Sequence, residues 1–249
     1  MQPSPWFEDE DFWAATYPFM FPQESFERAA SEIPNIMALT GWAGGSSVLD
    51  MCCGPGRHSV PFAKHGFKVT GVDRSAFLLE KAKNYAEHEK VNPTWVHEDM
   101  RSFVQPDTFN LALSLFTSFG FFDEMKENRT VVGNLHRSLV RDGVLIMDVM
   151  GKEVLARIFQ PTGSRALENG DLLFERRFLR GDWERVESEW VIVSGSKART
   201  FPLRLWLFSA RELKDLLYSV GFKKIAVYGS LDGETYGLDS NRLIAVARK

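Results

Sequence analysis

The chain has 249 residues, 44% of them hydrophobic and 25% charged. That suits one large α/β domain, or one domain with an insertion, and carries no compositional sign of disorder. The net charge of −3 gives no electrostatic footprint for nucleic acid, no apolar run approaches the roughly 18–20 residues of a membrane span, and two cysteines are too few for a disulfide framework.

An aromatic leader comes first. Its start, "MQPSPWFEDEDFW", lacks the basic and apolar blocks of a signal peptide, so a soluble, cytoplasmic protein with reduced thiols is expected. The acidic run Glu8 to Asp11 reads as a solvated face. The stretch "SFERAASEIPNIMALTG" reads as helix interrupted near Pro34 and ended by Gly41. From residue 47, strand and helix patterns alternate. Residues 47–51 form a short apolar run that fits a buried strand; 58–65 read as a helix stopped by Gly66; 67–72 are the next strand. Ser75 caps a helix whose Leu78, Ala82, Tyr85 and Ala86 share a face. Strands are expected at 94–97 and 109–116, then a helix with Val131, Leu135 and Leu139 on one side, then a turn and a fifth strand in "RDGVLIMDVM".

This alternation argues for a parallel sheet covered on both faces, doubly wound by right-handed crossovers. After Gly151 the period changes. Residues 171–207 alternate apolar and polar between glycine turns and read as three antiparallel strands. A capped helix follows at 209–220, then strands at 223–228 and 243–246 joined by "GSLDGETYGLDSN". The expected division is a helical leader or lid at 1–46, a main domain at 47–160 with 208–249, and a β insertion at 161–207.

The run "VLDMCCGPGRHSV", 48–60, is the most informative. Structural zinc needs about four ligands at set spacings, and adjacent cysteines with five scattered histidines do not supply them; no metal site is expected. A disulfide between neighbours strains the geometry, and no CxxC motif is present. A nucleotide loop explains the run better. A buried strand ends near Asp50, and Gly54 and Gly56 let the backbone turn and approach a ligand. Asp73 lies nineteen residues past Gly54, at the end of the next strand, where an acid meets ribose hydroxyls. The third glycine of the dinucleotide fingerprint is absent.

"VLDMCCGPGRHS" resembles motif I of the class I S-adenosylmethionine-dependent methyltransferases, D/E-x-G-x-G-x-G, here Asp50-x-Cys52-x-Gly54-x-Gly56 with Cys52 in place of the first glycine. "VTGVDRS" resembles the second motif, "HEDMRSF" the third, and "FNLALSLFTSFGFF" the fourth-strand motif. The resemblance implies a Rossmann-like, seven-stranded, mostly parallel sheet with an antiparallel last strand, plus the small antiparallel β insertion covering the substrate. It implies S-adenosyl-L-methionine as cofactor. Asp73 then takes the ribose, with Arg74 beside it; Asp99 takes the adenine amino group and Met100 packs on the ring. Gly54 and Gly56 let the methionine portion lie on the loop, Arg57 or Tyr17 meets its carboxylate, and Leu115 and Phe116 line the cofactor. Ser118 sits near the acceptor. The implied reaction is methyl transfer to an N, O or C atom of a small molecule, driven mainly by proximity and orientation. No marked catalytic triad is expected; His58, Ser118 and Tyr236 are the candidates for a catalytic role. A nicotinamide-dependent dehydrogenase and a non-catalytic S-adenosylmethionine-binding module are the alternatives.

Overall fold

The computed structural model describes residues 5–249, so the first four residues of the expected leader lie outside the described residues. A single 3-10 turn, Trp6–Glu8, leads into α1 (Glu10–Met20), capped by the Asp9 carboxylate, and α2 (Gln23–Thr40). Pro34 does not interrupt α2, contrary to the sequence expectation. Both Pro34 and Ala30, whose carbonyl loses its helical partner, are exposed, so that carbonyl lies on the solvent side of the helix while Ile33 and Ile36 hold it on the core.

Seven strands form the main sheet: β1 (Ser47–Met51), β2 (Lys68–Asp73), β3 (Thr94–His97), β4 (Phe109–Ser114), β5 (Leu139–Val149), and two that follow the insertion. Their helices are α3 (Ser59–Lys64), α4 (Ala76–His88), α5 (Met125–Ser138) and α6 (Lys152–Ile158). The insertion holds β6 (Thr162–Ala166), β7 (Leu172–Arg180), β8 (Arg185–Ser194) and β9 (Lys197–Trp206); α7 (Ala210–Ser219), β10 (Lys223–Tyr228) and β11 (Leu243–Arg248) complete the chain. The main sheet runs β10-β11-β5-β4-β1-β2-β3, with β11 antiparallel to both its neighbours and the other pairs parallel. Leu49, Met51, Leu145 and Met147 pack on α5 and α7, while Val48, Val144 and Ile146 pack with α2 and α3. Both faces are thus buried, which is why these strands read as continuous apolar runs.

Three boundaries differ from expectation. Leu139 starts β5 instead of ending α5; its N–H still closes the helix on Leu135 O. The fourth strand stops at Ser114, because Phe116 and Thr117 turn into the left-handed region at φ 57° and 59°. The insertion is a four-stranded antiparallel sheet, β6-β7-β8-β9, not three strands. The extra strand, "TGSRA", is a mostly exposed edge with no apolar alternation to announce it.

Candidate active site

The sheet order reverses between β1 and β4, and the crevice at such a switch point is where open α/β sheets bind ligands. A cavity of about 350 Å³ opens there. One end is made by the strand ends. Asp50 is buried and accepts a 2.6 Å hydrogen bond from Ser59 Oγ; burial pushes its carboxyl up, against the pull of His58, Ser59 and Arg57. Cys52 takes φ 58°, the conformation that suits the glycine usual at this position. Gly54 donates its N–H to Asp73 Oδ2 at 2.8 Å, and Ser75 N–H donates to Oδ1 at 2.9 Å. Burial lifts the Asp73 carboxyl to about 6, although those two bonds and the Arg74 N–H pull the other way. Gly56 is a packing glycine: at φ 77°, its Cβ position lies 2.9 Å from the Trp95 ring and 3.1 Å from Ala82. Both cysteines are free thiols, pushed well up by burial.

Asp99 is more engaged than the sequence suggests. Burial pulls its carboxyl up, but hydrogen bonds from Arg101 and Arg74 win and hold it low. Oδ1 accepts from Arg101 N and Nε, and Oδ2 from Arg74 Nη1 and Arg101 Nη2. A carboxylate has about four acceptor positions, so an adenine amino group reaches Asp99 only where a guanidinium gives way. Arg74 also meets Glu8 at 3.0 Å, and Glu10 accepts from Ser75 Oγ and the Ala76 N–H. The acidic run is therefore more than a solvated face, although Glu10 and Asp11 stay exposed. Two of its carboxylates tie the leader to the start of α4 and to Arg74.

Leu115 and Met100 are buried cavity walls. Phe116 carries the Arg57 guanidinium 3.5 Å above its ring, with Arg28 and Arg242 at 5.4 and 5.0 Å. Burial draws Arg57 down to about 10, opposed by Glu32. Arg242 in turn holds the buried Asp148 carboxylate at 2.7 Å, and that carboxylate accepts the Phe116 N–H at 3.0 Å. His58 lines the cavity with Nε2 3.0 Å from Glu32, and Ser118 Oγ donates to Leu115 O at 2.7 Å. Besides the packed Gly56, two candidates do not line the cavity. Tyr17 packs against Phe21 and Phe77, and of this helix end it is Met20 and Phe21 that line the cavity. Tyr236 donates to Glu153 Oε2 at 3.0 Å and is not a lining residue.

The other end of the cavity was not assigned from sequence. Trp6 and Phe7 of the 3-10 turn, Phe121 and Phe122 after β4, and Leu203 and Leu205 of β9 line it. Trp13 and Trp190 complete the wall. Trp190 lies within the alternating 171–207 stretch, and nothing local distinguishes it from an outward-facing ring.

An adenosine and an amino-acid end fit this donor set. Asp73 keeps acceptor capacity beyond its two backbone bonds, Gly54 presents bare backbone to the cavity, and Arg57 supplies a cation at the loop. A doubly wound sheet with acids at the ends of its first three strand–loop units is the frame of a class I S-adenosylmethionine-dependent methyltransferase.

The comparisons agree. Residues 48–143 match the family described as methyltransferase domain. The glycine/sarcosine N-methyltransferase of Aphanothece halophytica is 27% identical over 215 residues, 83% of this chain and 77% of that protein. The ubiquinone biosynthesis O-methyltransferase of Coxiella burnetii is 26% identical over about half of each chain. In structure, the CcbJ methyltransferase from Streptomyces caelestis superposes with a TM-score of 0.81 at 17% identity, covering 98% of this chain and 97% of that one. The matched methyltransferase family and these likenesses support a class I methyltransferase with S-adenosylmethionine as its cofactor.

Proposed function

We propose that this enzyme moves the methyl group of S-adenosylmethionine to an N, O or C atom of a small molecule by in-line displacement. One observation carries the reading: a single cavity is lined both by the motif-bearing strand ends and by a cluster of aromatic and leucine side chains. The relatives point the same way. One is named for glycine and sarcosine, and a solved neighbour from Micromonospora echinaspora, 24% identical with a TM-score of 0.68 over 95% of each chain, is an amino pentose methyltransferase.

Bound S-adenosylmethionine supplies a methyl already activated by a sulfonium. The residues then have to bind, orient and exclude water. Asp73 accepts the ribose hydroxyls, Met100 packs on the adenine, and Asp99 accepts its amino group as Arg74 swings out. Gly54 lets the methionine portion lie against backbone, with Gly56 holding the loop on α4; Asp50 and Cys52 complete the loop. Arg57 meets the carboxylate. Leu115 and Phe116 flank the reacting methyl, and Ser118 faces the acceptor. His58 is paired with Glu32 at the cavity wall, and Tyr236 is paired with Glu153 outside the cavity lining. Residues 5–46 act as the lid, 47–160 with 208–249 as the catalytic domain and 161–207 as the cover, in a cytoplasmic setting with no nucleic-acid partner.

Parallel calorimetric titrations with S-adenosylmethionine, S-adenosylhomocysteine and NAD test the cofactor site. Binding of the first two alone is expected. Transfer of labelled methyl to a screened acceptor then separates the enzyme from a non-catalytic binding module, and binding of NAD alone sinks the reading.

A further inference from the structure

We propose that the acceptor is a neutral molecule with an aromatic body, and not an amino acid or an amino sugar; this rests on the function proposed above. The cavity is divided by chemistry. Its charged lining residues come from the ends of β1 and β2 and from the loops after β1, β2 and β3, or are Arg28 of α2, which pairs with Glu32 and stacks on Phe116. The far wall is contributed by four separate parts of the chain and holds rings and leucines.

Trp6 packs edge-on to Phe121 at 4.9 Å, and Phe7 stacks on Phe121 with 23° between planes. Opposite, Leu203 and Leu205 lie two residues apart on one face of β9. Trp190 is on β8, paired in register with Phe201.

Among the described residues the lining of this wall includes no lysine, arginine or carboxylate, and Arg101, whose guanidinium sits 4.4 Å over the Phe122 ring, is already paired with Asp99 and Glu127. A zwitterionic acceptor placed there buries a carboxylate without a counter-charge, which is strongly unfavourable. A sugar ring loses the water around its hydroxyls and finds few donors or acceptors in exchange. A flat apolar body gains contact with ring faces and edges at favourable offset geometry. Arg57, the one buried guanidinium of the loop, is committed to the cofactor end through its place over Phe116.

The test uses the full chain saturated with S-adenosylhomocysteine. It is titrated calorimetrically with 2-naphthol as neutral aromatic probe, and with glycine, sarcosine and glucosamine. Saturable 2-naphthol binding is expected, with the other three silent. Leu203→Asp and, separately, Leu205→Asp should each weaken 2-naphthol at least tenfold and leave S-adenosylhomocysteine within about twofold, which also reports that the variant is folded. Trp190→Phe should retain the probe. Binding of glycine, sarcosine or glucosamine without 2-naphthol overturns the proposal, as does 2-naphthol binding indifferent to both aspartates. Failure of S-adenosylhomocysteine to bind the wild type is seen in the first step and overturns the cofactor reading itself, and this inference with it.

Discussion

Asp73 is recessed between two backbone N–H donors, and its environment makes its charge costly. A carboxyl held near 6, against an ordinary value of 3.8, keeps its proton in the folded chain where the unfolded chain has lost it. The unfolded state therefore binds fewer protons between about pH 4 and 6, and the free protein loses stability as pH rises through that window, by up to roughly 3 kcal/mol. Ribose hydroxyls that donate to Asp73 favour the ionised form. S-Adenosylmethionine affinity should accordingly fall as pH drops below about 6, and Asp73→Asn should flatten that profile in titrations from pH 5 to 8. Asp73→Ala should weaken the cofactor by about 1.5–3 kcal/mol, roughly ten- to a hundredfold. The adjacent thiols have no such role. Cys52→Ser with Cys53→Ser should preserve cofactor binding in the same assay, and wild-type protein should release no metal on unfolding.

Single elements carry the next level of constraint. Gly56 joins the motif loop to α4 and Trp95, and a methyl group there meets both a positive φ and a ring carbon at 2.9 Å. Gly56→Ala should cost about 2 kcal/mol or more, read as a lower urea midpoint with unchanged slope. The start of α4 is capped twice, by Ser75 from within and by the Glu10 carboxylate from the leader. Glu10→Gln removes the negative charge from a helix N-terminus. It should cost up to about 1 kcal/mol and make the 5–21 segment more sensitive to limited proteolysis. Unaltered cleavage would show that Glu8 and the aromatic contacts hold the leader alone.

At the scale of the molecule, the leader, the main sheet and the second sheet meet around one cavity, so cofactor and acceptor together bridge all three. S-Adenosylhomocysteine at a hundredfold its Kd stabilises the folded state by about 2.7 kcal/mol, which for a chain of this size should raise Tm by roughly 5–10 °C. NAD should leave Tm where it was.

How much of this the amino-acid order determined by itself follows from the range of the forces involved. Strand β1, the Ser75 cap, the Ser209 capping box of α7 and the register of Gly54 with Asp73 rest on local periodicity, local hydrogen bonds and backbone conformation, and they were legible before any coordinates. So was the cofactor class, because its loop is one contiguous segment. The second sheet's edge strand was not legible, since a polar strand is defined by its partner. Nor were the Glu8–Arg74–Asp99 chain, the exclusion of Tyr17 and Tyr236 from the cavity, or the aromatic wall. Glu8 is 91 residues from Asp99, and Trp6 is 184 residues from Trp190. Their meeting is decided by how the leader and the insertion pack on the sheet, and side-chain direction in that packing has no local signal.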